Sequence, residues 1–173
     1  MFDESESTKN QRCDPHKRRL DVTPTPHDAA SATRRVSANG RALRVLIVDG
    51  NADTADALAQ FVRQCGHNVR WTCDGATALK VAVAHEPQVV LVAIGMKEMD
   101  GYELAQQLRL DARLKKCFLI AMRHKADAWG HEQCNEADID LFLPKPVDHL
   151  VLETLLMWEV ERLHESRIRR SPV

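Results

Sequence analysis

Between residues 44 and 165 the chain alternates short apolar runs with amphipathic stretches, five times over. RVLIVD (44–49) is a β-branched run suited to a strand covered on both faces. ADTADALAQFVRQCG follows, with Ala55, Leu58, Ala59, Val62 and Cys65 at helical spacing and Gly66 as a stop. NVRWTC (68–73) alternates, as a strand nearer an edge does, and GATALKVAVAHE predicts a helix ended by Pro87. QVVLVAI (88–94) reads as the most buried strand, and GYELAQQLRLD as the helix after it. CFLIAM (117–122) predicts a strand and ADAWGHEQCNEA (126–137) a weaker helix containing Gly130. IDLFLP (139–144) is the last strand, and VDHLVLETLLMWEVERLHE (147–165) a long final helix.

Strand-then-helix repetition of this kind implies an α/β fold, a parallel sheet with right-handed crossovers and helices on both faces. Pro144 lacks a ladder donor, which places the last strand at an edge. In such sheets reactive groups gather beyond the carboxyl ends of the strands. The positions that matter are therefore 49–50, 93–95, 122–124 and 144–146.

Residues 1–43 break the pattern with Pro15, Pro24, Pro26 and many Ser, Thr and Asp. A segment so poor in large apolar residues cannot offset its ordering entropy, so a disordered tail is expected there. One domain is expected over 44–165, with a basic tail over 166–173. The HKRR cluster at 16–19 reads as solvated, and a net charge of −1 gives no general pull towards nucleic acid or membrane. The five cysteines form no CxxC pair and read as reduced thiols. No apolar run approaches the roughly 20 residues of a membrane span, and the polar N-terminus has no signal-peptide core. A cytoplasmic protein is expected. His124 and His131 have no second ligand at metal spacing and read as surface residues, so neither metal nor cofactor is expected.

VLIVDGNADTADAL, VVLVAIGMKEMDGYELAQQLR and EADIDLFLPKP, in that order and spacing, resemble the receiver domain of two-component response regulators over roughly residues 44–157. The resemblance implies a flavodoxin-like (βα)5 doubly wound sheet of strand order 2-1-3-4-5. It also implies phosphoryl transfer from a histidine kinase to an aspartate ending the third strand. In the family an acidic pair after the first strand helps that aspartate hold Mg²⁺. A Thr or Ser after the fourth strand and a Lys after the fifth hold the phosphoryl oxygens.

This chain keeps part of that set. The acidic pair reads Asp49-Gly50, the acceptor position is Ala93, the Thr/Ser position is Arg123, and Lys145 is retained before Pro146. By the same resemblance, the Lys145–Pro146 peptide is expected to be cis. Alanine offers neither a nucleophilic lone pair nor a metal ligand, and one carboxylate makes a poor Mg²⁺ site. The five positions carry a net formal +1. The reading is a non-enzymatic pseudo-receiver, with Asp49 held by Lys145 or Arg123. Asp53 and Asp100 are rival acceptors, but read better as a first-turn acid and a helix N-cap.

Such a module would bind a histidine kinase, a phosphotransfer protein or a response regulator, or pair with a second copy of itself. The surface would be the face of the fourth and fifth expected helices, which receivers commonly use. Trp129, Met157 and Trp158 are its candidate residues, with Phe142 at the aromatic position that changes rotamer in many receivers. Two alternatives are a sensor that binds a small anion in the degenerate pocket and a receiver phosphorylated on an atypical carboxylate.

Overall fold

Five apolar runs pair as β1 (Arg44–Val48), β2 (Asn68–Thr72), β3 (Val89–Ala93), β4 (Phe118–His124) and β5 (Leu141–Lys145). The computed structural model describes residues 42–124 and 138–169. All neighbours are parallel and the order is β2-β1-β3-β4-β5. Pro144 does lie on an edge strand, opposite Arg123. Four described helices connect or follow the strands: α1 (Ala52–Gln64), α2 (Gly75–His85), α3 (Gly101–Leu110) and α4 (His149–Ile168), the last of the chain.

Strand alternation sorts the core into two layers. Val45, Ile47, Leu91, Ala93, Ile120 and Met122 face Leu58, Val62, Leu152 and Leu156 of α1 and α4. Leu46, Val48, Val90, Val92 and Leu119 face Ala78, Ala82, Leu104 and Leu108 of α2 and α3. Each helix starts at a side chain that takes up orphan N–H groups. Asn51 accepts from Asp53 and Thr54, Asp74 from Thr77, Asp100 from Gly101, and Asp148 from Leu150 and Val151.

The boundaries differ from expectation at several points. Leu43, assigned to the tail, is buried, and its N–H donates to His67 Nδ1 at 3.3 Å. The final helix runs past 165 to Ile168, where Arg167 in the last turn complements the dipole. β4 extends to His124 and so takes Arg123 into the sheet. Residues 1–41 of the expected 1–43 tail, the expected helix at 126–137 and residues 170–173 lie outside the described residues.

Candidate functional site

Parallel strands present all their carboxyl ends on one edge, where Asp49, Ala93, Arg123 and Lys145 collect. Asp49 follows β1, its backbone N–H held by Thr72 O at 3.1 Å, and its residue is 2% exposed. Its Oδ1 accepts from the Asn51 N–H at 3.0 Å and its Oδ2 from Lys145 Nζ at 2.7 Å. Both carboxylate oxygens are thereby committed. The ion pair links the end of β1 to the edge strand β5, and the Lys145–Pro146 peptide after it is cis.

Ala93 ends β3 beside Asp49, one register step past Val48 and Val92, with its methyl group inside the core layer against α1 and α4. The next turn is tight. Gly95 takes φ +81°, and its N–H donates to Asp100 Oδ1 at 2.8 Å, the same oxygen that caps Gly101 at 2.6 Å. Gly101 sits so close to the strand end that a Cβ there would lie 2.5 Å from Ala93 O. Gly50 is open by comparison, since an added Cβ would meet only Met96 Cγ, at 3.8 Å. Asp53 lies in the first turn of α1 and Asp100 is the α3 N-cap, the positions their sequence context predicts.

Arg123 is 7% exposed, and its guanidinium carbon lies 5.5 Å from the centroid of the Phe142 ring, within cation–π range. Asp49 Oδ2 pairs with Lys145 at 2.7 Å. Mg²⁺ demands near-octahedral oxygen ligation. The residues here do not fit it: Gly50 and Ala93 supply no carboxylate, and the one that remains is already bonded twice. Among the described residues no three or more His, Cys, Asp and Glu side chains converge as a metal site.

Of the candidate partner residues, Met157 and Trp158 are 64% and 53% exposed on α4, and Phe142 is half-buried against the α2–α3 layer. Trp129 and His131 lie outside the described residues, while His124 is exposed at the end of β4. Among the described residues, the uniform reading of the cysteines as reduced thiols fails at Cys73. Cys65 and Cys117 are free, but Cys73 is disulfide-bonded. Burial pushes the Cys117 thiol up to about 11, which makes it a core residue rather than a nucleophile.

Two ionic groups, one buried and one half-buried, gave little signal in the sequence. Glu159, 1% exposed on α4, receives both arms of Arg162 at 2.6 Å. Arg109, in the last turn of α3, donates to the carbonyls of Lys115, Cys117 and Asp138 and to Asp140 Oδ2. An (i, i+3) Glu–Arg spacing hints at the first; nothing local marks the second.

Residues 45–156 match the family model of the response regulator receiver domain. The sensor histidine kinase RcsC of Escherichia coli K12 is 29% identical over 143 residues, which cover 82% of this chain but only 15% of RcsC. The transcriptional regulatory protein PrrA of Mycobacterium tuberculosis is 33% identical over 104 residues, 60% of this chain and 43% of PrrA. The signal receiver domain of a Syntrophus aciditrophicus signal transduction histidine kinase superposes with a TM-score of 0.64 at 23% identity, covering 76% of this chain and 96% of that one. At that identity the likeness speaks to the fold. Among the described residues no helix is long and apolar enough to cross a membrane.

Proposed function

The chain belongs to the response regulator receiver domain family, and we propose on that premise that it is a receiver without phosphoryl-transfer chemistry. It works as a non-enzymatic, protein-binding module of a two-component or phosphorelay pathway. Ala93 carries this reading. It stands where the family's acceptor aspartate would end β3, and a methyl group has no lone pair to attack phosphorus. Its surroundings agree: Asp49 is spent on Lys145, Gly50 adds no ligand, and Arg123 replaces a hydroxyl with a buried cation. A docking histidine kinase or phosphotransfer protein would meet the receiver surface but no nucleophile. The exposed Met157 and Trp158 are the described side chains suited to anchor such a partner, or a second copy of the chain.

Acetyl phosphate with Mg²⁺ tests the chemistry, read by intact mass, with beryllofluoride and Mg²⁺ as a parallel arm read by melting temperature. No gain of phosphate and no thermal shift are expected. A stoichiometric phosphate mapped to any aspartate, Asp53 and Asp100 included, would overturn the reading.

A further inference from the structure

At the edge of the sheet opposite the candidate site, where the strands begin, lies a groove of ≈ 470 Å³. Trp158 and Phe118 form its aromatic part, their ring centroids 5.7 Å apart and tilted by 54°. Arg109 and Arg162 also line it, each already held by a carboxylate: Asp140 at 2.7 Å and Glu159 at 2.6 Å. The remaining charges in the lining are Lys115, Lys116 and Asp138. Both lysines are exposed, and neither makes an ion pair among the described residues. The ligand that suits this surface carries one aromatic anchor and a few carboxylates close behind it.

The chain itself supplies one. Its segment MFDESES sets Phe2 ahead of Asp3, Glu4 and Glu6, with no cationic side chain before Lys9. We propose that Phe2 to Glu6 dock in cis into this groove, with the ring against Trp158 and the carboxylates on Lys115 and Lys116. Topology makes the reach short. All five strands are parallel, so the chain enters β1 at the groove's own edge. Val45, Val89 and Phe118 share one register row, which puts Phe118 two strand spacings, about 10 Å, from that entry point. The 35 residues from 7 to 41 exceed this distance many times over. Docking would cover Trp158 and make the segment a built-in competitor of any partner that uses it. This inference goes beyond the reading of Ala93 and does not depend on it.

The test compares amide and indole NMR spectra of the full chain with those of its Asp3→Lys/Glu4→Lys/Glu6→Lys variant. The Trp158 indole N–H and the Lys115 and Lys116 amides are expected to shift between the two. Raising NaCl to about 0.5 M, which shortens the Debye length to a few ångströms, should move the parent spectrum onto that of the variant. A Lys115→Glu/Lys116→Glu exchange should give the undocked signals, and combining it with the tail reversal should bring the docked ones back. Superimposable parent and variant spectra would overturn the proposal. Shifts that grow with protein concentration would overturn it too, since they would mean docking between copies.

Discussion

Lys145→Met isolates what the Asp49–Lys145 pair contributes. The two side chains are 3% and 12% exposed and meet at 2.7 Å, so solvent screens the pair little. Removing the ammonium takes away the counter-charge that meets Asp49 Oδ2 at 2.7 Å and leaves its bond from the Asn51 N–H. Stranding a buried charge in this way costs about 3 kcal/mol or more. At roughly 4 °C per kcal/mol for a domain of this size, the melting temperature should fall by about 12 °C. The pair's net contribution is a separate quantity, because desolvation offsets much of its attraction. Asp49→Asn/Lys145→Met removes both charges and keeps an acceptor for the Asn51 N–H, so it should lie within about 1 kcal/mol of the parent. Urea denaturation of the parent, both single variants and the double variant closes the cycle, with an expected coupling of at least about 2 kcal/mol. A loss below about 1 kcal/mol in Lys145→Met is what an exposed pair would give, and it would refute the assignment of Asp49 as a committed carboxylate. So would a double variant as unstable as the two singles added together.

Ala93→Asp alone is expected to remain unphosphorylated by acetyl phosphate, since Gly50 still withholds a metal ligand and Asp49 stays with Lys145. The triple Gly50→Asp/Ala93→Asp/Arg123→Thr should gain Mg²⁺-dependent phosphate, and equal rates for single and triple would place the whole defect at Ala93. Gly101→Ala should cost about 2 kcal/mol in urea denaturation, because its Cβ would lie 2.5 Å from Ala93 O; an unchanged midpoint would show that α3 can move away freely. Burial pulls both His67 and His85 below the usual histidine range, and the nearby Arg70 and Arg44 lower His85 further. Their folded forms favour the neutral ring, so this stability is complete above the unfolded value near 6.5. It is lost as pH falls from there through the folded values. The denaturation midpoint should therefore drop between pH 7 and pH 5, and by less in His85→Gln, where Nε2 is buried without a partner in the parent.

The strands and helices were legible because this fold writes its core in short apolar runs separated by capping residues. QVVLVAI can hardly be anything but a central strand, and Asn51, Asp74, Asp100 and Asp148 each stand one residue before a helix. The strand ends marked out 49–50, 93–95, 122–124 and 144–146, and the receiver resemblance singled out Asp49, Gly50, Ala93 and Lys145 within them. Arg123 was harder. A charge in LIAMRH looks like a strand terminator, yet it continues β4, with Phe142 from the next strand within cation–π range of its guanidinium. β5 starts later than IDLFLP suggests, because Asp140 accepts the Leu119 N–H through its carboxylate at 2.7 Å. That is a side chain standing in for a ladder carbonyl, and residue type does not announce it. The Asp49–Lys145 pair spans 96 residues, so only the tertiary fold could decide which cation Asp49 would take.

Arg109 also bears on how the molecule comes apart. One guanidinium holds the last turn of α3, the carbonyls of Lys115 and Cys117 before β4, and Asp138 and Asp140 before β5. No one of these segments can open without leaving the same cation short of acceptors, so they should open together. Hydrogen exchange should give the amides at the end of α3 and at the starts of β4 and β5 a common opening free energy. Arg109→Lys, which cannot span so many acceptors at once, should split that unit into independent parts well before it lowers the global midpoint.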